Sequence, residues 1–248
     1  MIKSLVFDKD GVILDLIETW LPVVRGLAEY TLARAPGGNA GSVSRNTLLS
    51  SIGIDDDTGV IDPNGMFARG SFFEIRAIWQ ELLPPGMINL QEDDTYRTEV
   101  KRIVRDLGRG NAVPKGDLLT PLTQLSDAGF KLAVLTNDSE GSARQGLEEI
   151  GVAHFFDPII GADSGYGGKP EPRGLLHCCA LHDSDPSETL MIGDTGADYG
   201  AAVNANVAGF VCIADNPADR PDPAISEADV IARLSDLPGL LVRRGDMA

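Results

Sequence analysis

The 248-residue chain is long enough for one large domain or for a core with a smaller partner, and its 43% hydrophobic residues can fill a substantial interior. Its 37 acidic against 21 basic side chains give a formal net charge of -16, which argues against nucleic acid or an anionic membrane as the principal partner. Cys178, Cys179 and Cys212 form neither a spaced metal motif nor a disulfide framework, no charged-then-apolar leader stands at the N-terminus, and no apolar run is long enough to span a bilayer. A soluble, cytoplasmic protein is expected.

The first predicted element is a strand, "IKSLVF", ending around Phe7 or Asp8, after which "DKDGVILD" turns around Gly11. From Glu18 to about Arg109 the apolar recurrence becomes helical: Leu27, Tyr30 and Leu32, then Phe72, Ile75, Ile78, Trp79, Leu82 and Leu83, then Val100, Ile103, Val104 and Leu107. These stripes are read as packing faces. Between them "GIDDDTGVIDPNG" lacks the spacing of a calcium loop and reads as a solvated connection.

After "GRGNAVPKGD" strands and helices alternate. The predicted strands are "KLAVLT", "PII", "TLMIG", "GFVCIA" and the weaker "ADVIA"; helices are predicted near Pro121 to Ala128, Ala143 to Ile150, Arg173 to Leu181 and Ala197 to Ala205. Continuous apolar strands suit a parallel sheet covered on both faces. The expected fold is therefore α/β, a doubly wound parallel sheet (Rossmann-like), with 1–15 and 112–248 as core and 16–111 as a helical cap domain inserted after the first strand.

Charges gather where these strands end. Asp8 and Asp10 stand at i and i+2, a spacing that puts both carboxylates on one side of an extended chain, with Lys9 expected to point elsewhere. Asp194 and Asp198 follow another strand in "IGDTGADYG", and oxygen ligands at two strand ends suit a hard cation, magnesium being favoured beside phosphate. "TND" at 136–138 and "GGKPEP" at 167–172 add a hydroxyl, backbone donors and an ammonium that can receive phosphate oxygens. This is a phosphoryl-transfer constellation in a chain without a P-loop signature. Gly11, Gly168 and Gly193 are expected to permit tight turns, Gly168 in the turn that presents Lys169. His154, His177 and His182 have no ligand spacing and read as structural or surface residues.

In their order, "DKDGVI" at 8–13, "TND", "GGKPEP" and "GDTGAD" at 193–198 resemble the haloacid dehalogenase-like hydrolase superfamily, especially its phosphoglycolate-phosphatase-like branch with a helical cap. The resemblance spans the core from Met1 to about Leu241. It implies Asp8 as covalent nucleophile, Asp10 as acid/base residue, Thr136 as phosphoryl ligand with Asn137 supporting its loop, and Lys169 as the cation beside Asp8 and phosphate. It also implies a magnesium site made by Asp8, the Asp10 carbonyl and Asp194, with Asp198 supporting it directly or through water. The implied activity is magnesium-dependent hydrolysis of a small phosphorylated metabolite through a phosphoaspartate intermediate, phosphoglycolate being one candidate.

Departures from the family pattern bound that reading. Val12 and Leu16 stand where relatives often carry hydroxyl residues, so contacts made by those hydroxyls do not transfer. Asp10 separates the chain from haloalkanoate dehalogenases, and an insertion without lysine before Lys101 runs against a Schiff-base hydrolase. A phosphosugar mutase and a phosphoaspartate-switched binding protein are the alternatives, the second disfavoured by the insertion and by "GDTGAD". Arg45 and Arg69 are candidates for a substrate carboxylate or sugar oxygen, each read more readily as a solvated or packing arginine.

Overall fold

The computed structural model describes residues 1–34, 41, 43–62, 65–70, 72–108 and 110–247, with the side chain of Arg69 outside that description. In chain order the principal elements are β1 (Ser4–Phe7), α1 (Leu16–Ala33), α2 (Arg45–Ser50), α3 (Met66–Arg69), α4 (Phe72–Leu82), α5 (Asp94–Gly108), α6 (Leu119–Asp127), β2 (Lys131–Leu135), α7 (Glu140–Glu149) and β3 (Ile159–Ile160). They continue with α8 (Arg173–Leu181), β4 (Thr189–Gly193), α9 (Gly196–Ala205), β5 (Gly209–Ile213), β6 (Val230–Ile231) and α10 (Leu237–Arg244). The chain divides into two compact units, 1–15 with 112–248, and 16–111.

In the larger unit, six parallel strands run in the order β3-β2-β1-β4-β5-β6, the doubly wound sheet expected from the apolar runs. Strand alternation divides those runs between two layers. Leu5, Phe7, Leu132, Val134, Leu190 and Ile192 pack with α6, α7 and α10 through residues such as Leu122, Leu147 and Leu241. Val6, Ala133, Leu135, Met191 and Phe210 pack instead against Leu175 and Cys178 of α8 and the small residues Ala201, Ala202 and Ala205 of α9. Burial on both faces is why no polar alternation marks these strands. All three cysteines are buried and free.

The smaller unit is helical, and Trp20, Val24, Leu27, Leu48, Ile75, Trp79, Tyr96, Val100 and Ile103 share its core. Within that core Trp79 Nε1 donates to the Leu48 carbonyl at 2.9 Å, and Thr31 Oγ1 lies 2.6 Å from the Tyr96 hydroxyl. Two predicted stripe positions, Leu82 and Leu107, are instead exposed at 37% and 38%, because each falls in the final turn of its helix. The acidic connection is also more built than expected, since Asp56 accepts from Arg25 Nε at 2.6 Å and Arg45 Nε at 2.8 Å. Pro63 and Asn64 of that connection lie outside the described residues. No helix among the described residues is long and apolar enough to cross a membrane.

The strand order reverses at β1, which pairs with β2 on one side and β4 on the other. Phe7 is level with Val134 and Ile192, so the chain leaves all three strands within one residue of the same height. A doubly wound sheet opens its ligand crevice at that switch point, beyond the carboxyl ends of the strands.

Candidate active site

Asp8 continues β1, its N–H donating to the Ile192 carbonyl at 2.8 Å, and it is only 6% exposed. Gly11 reverses the chain after it at φ +79°, a conformation that favours glycine. A Cβ there would also stand 2.0 Å from Asp194 Oδ2, so glycine permits the close approach of the β1 and β4 loops as well as the turn. Lys115 Nζ donates to the Gly11 carbonyl at 2.5 Å, and Lys115 N donates to the Ile13 carbonyl at 2.8 Å.

Lys169 is buried with its ammonium 2.6 Å from Asp8 Oδ1 and 2.6 Å from Asp198 Oδ1. Asn137 holds the backbone that carries it: Lys169 N donates to Asn137 Oδ1 at 2.7 Å, and Asn137 Nδ2 donates to the Lys169 carbonyl at 3.1 Å. The left-handed residue of this turn is Gly167, at φ +75°, rather than Gly168. Gly168 is required for a different reason, since a Cβ there would lie 2.9 Å from Asn137 Oδ1. Gly193 likewise takes no left-handed conformation; its missing side chain makes room for Asp198, whose Cβ would be 2.3 Å away.

Asp198 is the third residue of α9 and closes a capping box with Thr195. Its Oδ2 accepts from Thr195 N at 2.9 Å and Thr195 Oγ1 at 2.6 Å, while Oδ1 accepts from Lys169. One carboxylate thus both caps α9 and binds the Lys169 ammonium. Asp194 differs: its Oδ1 is buried without a hydrogen-bond partner among the described residues.

Asp8, Asp194 and Asp198 each offer an oxygen within 4.8 Å of the others. Burial pushes the Asp8 carboxyl up to about 7, against the pull of Lys169. Burial also drives Asp194 well above the carboxylate range, with the charges of Asp198 and Asp8 adding to it. For Lys169, burial alone would lower the ammonium, but Asp198 and Asp8 outweigh it and raise it. An all-oxygen cluster with one unpartnered buried oxygen suits a hard divalent cation.

Thr136 is buried one residue past the end of β2, its hydroxyl accepting from Asp138 N at 3.1 Å. The Asp10 side chain lies outside the three-acid cluster and is held by Lys9, which does not point away from the acids as strand alternation suggests. Lys9 Nζ lies 3.0 Å from Asp10 Oδ1, 2.8 Å from Asp10 Oδ2 and 3.1 Å from Asp138 Oδ2. Burial disfavours that ammonium, yet Asp10 and Asp138 raise its proton affinity overall. Lys9 and Asp138 take parts that the sequence reading does not give them, Lys9 being expected to point elsewhere and Asp138 entering only as the last residue of "TND"; the signal is a charge between two aspartates. Arg45, by contrast, is already paired, with Glu29 at 2.6 Å and Asp56.

A sequence profile of the haloacid dehalogenase-like hydrolases matches residues 2–206. A phosphoglycolate phosphatase of Vibrio cholerae is 29% identical over 213 residues, covering 84% of this chain and 83% of that one. Another, from Vibrio vulnificus, is 38% identical over 139 residues, which are 54% of this chain and 59% of the relative's length. Among solved structures, the β-phosphoglucomutase of Clostridium difficile superposes with a TM-score of 0.67 at 19% identity, over 98% of this chain and 96% of that one, a likeness of fold. With the profile spanning most of the chain and the ordered motifs meeting at one end of the sheet, the protein belongs to the haloacid dehalogenase-like hydrolase family.

Proposed function

We propose that this hydrolase is a magnesium-dependent phosphatase that cleaves a small phosphomonoester through a phosphoaspartate on Asp8, with phosphoglycolate the first substrate to test. The observation that carries the reading is the Asp8 carboxylate at the switch point, 2.6 Å from the Lys169 ammonium and within 4.8 Å of the Asp194 and Asp198 oxygens. The phosphoglycolate phosphatases among its relatives support the substrate class.

Asp8 and Asp194 would hold the cation, with Asp198 orienting Lys169 and the loop beside it. When bound, magnesium supplies positive charge that offsets repulsion between a phosphoryl dianion and the acids. An Asp8 oxygen forms a bond to phosphorus as the bond from phosphorus to the leaving oxygen breaks, and Asp10 gives that oxygen a proton. Water then attacks the phosphoaspartate, Asp10 takes its proton, and the bond between phosphorus and Asp8 breaks to regenerate the carboxylate. Lys169 and the Thr136 hydroxyl stabilise charge on the phosphoryl oxygens throughout. The inserted unit, residues 16–111, is the cap domain in this scheme.

The test is a magnesium-supplemented panel of phosphoglycolate, sugar phosphates, nucleotides and pyrophosphate, compared by kcat/KM for phosphate release. Turnover should fall at least about a thousandfold in Asp8→Asn, and acid-quenched wild-type enzyme should carry phosphate on Asp8. Isomerisation of a sugar phosphate without net phosphate release would replace the phosphatase reading with a mutase. A stable phosphoaspartate without turnover would replace it with a switch.

A further inference from the structure

We propose that Lys9 is a positioning residue for proton transfer, its buried ammonium fixing the Asp10 carboxyl in the orientation from which it serves the leaving oxygen. The inference rests on Asp10 being the acid/base residue of the proposed reaction.

Lys9 is 1% exposed, and its ammonium contacts both oxygens of Asp10, at 3.0 and 2.8 Å. A third contact, 3.1 Å to Asp138 Oδ2, ties the loop after β1 to the loop after β2. Asp138 is itself fixed, its Oδ1 accepting from Ser139 N at 2.7 Å and its N–H bound to the Thr136 hydroxyl. Lys9 stands two residues past the end of β1 and is nonetheless buried. An aliphatic side chain would fill such a position without the cost of burying an ammonium. The charge is therefore explained by what it holds rather than by packing.

Two ammonium groups divide four acids between them. Lys169 takes Asp8 and Asp198, on the phosphoryl-transfer side; Lys9 takes Asp10 and Asp138. When the Asp10 O–H bond breaks and its proton passes to the leaving oxygen, a carboxylate remains. An ammonium already in contact with both oxygens receives that charge without reorganising. Lys9 itself neither gains nor loses a proton.

The test uses the full chain with magnesium and reads kcat/KM, which reports the steps through phosphoryl transfer to Asp8, for two leaving groups. An alkyl phosphate needs the proton at the leaving oxygen, whereas p-nitrophenyl phosphate largely does not. Lys9→Met should lose about 10–100-fold on the alkyl phosphate and less than about 3-fold on p-nitrophenyl phosphate. In an Asp10→Asn background the same change should cost less than about 3-fold on either, because the residue it acts through is gone. Equal losses on both substrates, or losses that multiply in the double variant, overturn the proposal.

If Lys9→Met does not fold, Asp138→Asn carries the comparison. It keeps the ammonium but removes its second anchor, and a selective loss of about 3–10-fold on the alkyl phosphate is expected, a uniform loss overturning the role of Lys9. Asp10→Asn alone separates the two levels. A uniform loss there removes the acid/base assignment, whereas a selective loss there with a uniform loss in Lys9→Met removes only the positioning role.

Discussion

Replacing Asp8 by Asn isolates the electrostatic strain in the acidic pocket. Burial raises this carboxyl to about 7, so the folded chain binds its proton more tightly than the unfolded chain does. A raised folded value gives stability that is complete below the unfolded pKa and is lost as pH rises through about 7. Between pH 6 and pH 8 that loss is about 1.4 kcal/mol from this group. Asn does not titrate, so the metal-free variant should gain about 1.4 kcal/mol on the wild type across that window, or roughly 3–5 °C in the difference between their Tm values. The buried His182 imidazole, lowered by desolvation, titrates in the opposite sense, but it is common to both proteins and cancels, whereas Asp194, whose proton affinity the Asp8 charge raises, is relieved in the variant and widens the difference in the same sense. The assay is thermal unfolding in chelator at pH 6, 7 and 8, repeated with magnesium. Magnesium should stabilise the wild type increasingly with pH, because its ligands must be deprotonated, and should do so less in the variant. A metal-free Tm difference that stays constant from pH 6 to pH 8 would refute the reasoning.

Two further changes probe how the pocket is held. Lys169→Met leaves Asp8 and Asp198 buried without their shared ammonium and should destabilise the metal-free protein by about 3–5 kcal/mol, measured by denaturant unfolding, with part of the loss recovered on lowering the pH. Turnover of the same variant in magnesium should fall at least about a hundredfold. Gly11→Ala forces a Cβ to within 2.0 Å of Asp194 Oδ2 at a φ of +79° and should cost about 1–3 kcal/mol while weakening magnesium binding at least about tenfold by calorimetry. Unchanged affinity in that variant would show that Asp194 is not a ligand.

The strands were legible because burial on both faces removes polar alternation and leaves short apolar runs, as in "TLMIG", each residue of which is buried. Helix starts were less so. The helix predicted from Ala143 begins at Glu140, because Ser139 caps it by accepting from Ser142 N, a signal that apolar periodicity does not carry. The last helix, α10, was passed over because Pro238 and Gly239 interrupt its opening, although Leu237, Leu240 and Leu241 bury one face. Within the site, the spacing inside each of two segments, after β1 and after β4, brings out Asp8 with Asp10 and Asp194 with Asp198. The pairing of Lys9 with Asp138 joins residues 129 positions apart, and only the adjacency of β1 and β2 brings them together.

Charge balance ties these pieces to the proposed chemistry. Five carboxylates, those of Asp8, Asp10, Asp138, Asp194 and Asp198, crowd the ends of three neighbouring strands, and Lys9 and Lys169 are the ammonium groups in ion-pair contact with four of them. Asp198 is further satisfied by Thr195, and Asp138 by Ser139. Burial raises the proton affinity of Asp8, which shares its ammonium, and of Asp194, whose Oδ1 has no hydrogen-bond partner among the described residues. A phosphoryl dianion entering here would deepen the deficit of positive charge, and a third lysine aimed at the same oxygens would relieve only half of what two carboxylates require. A divalent cation held by Asp8 and Asp194 would offset that deficit, and it would stabilise the charged form of the proposed nucleophile, which burial otherwise penalises.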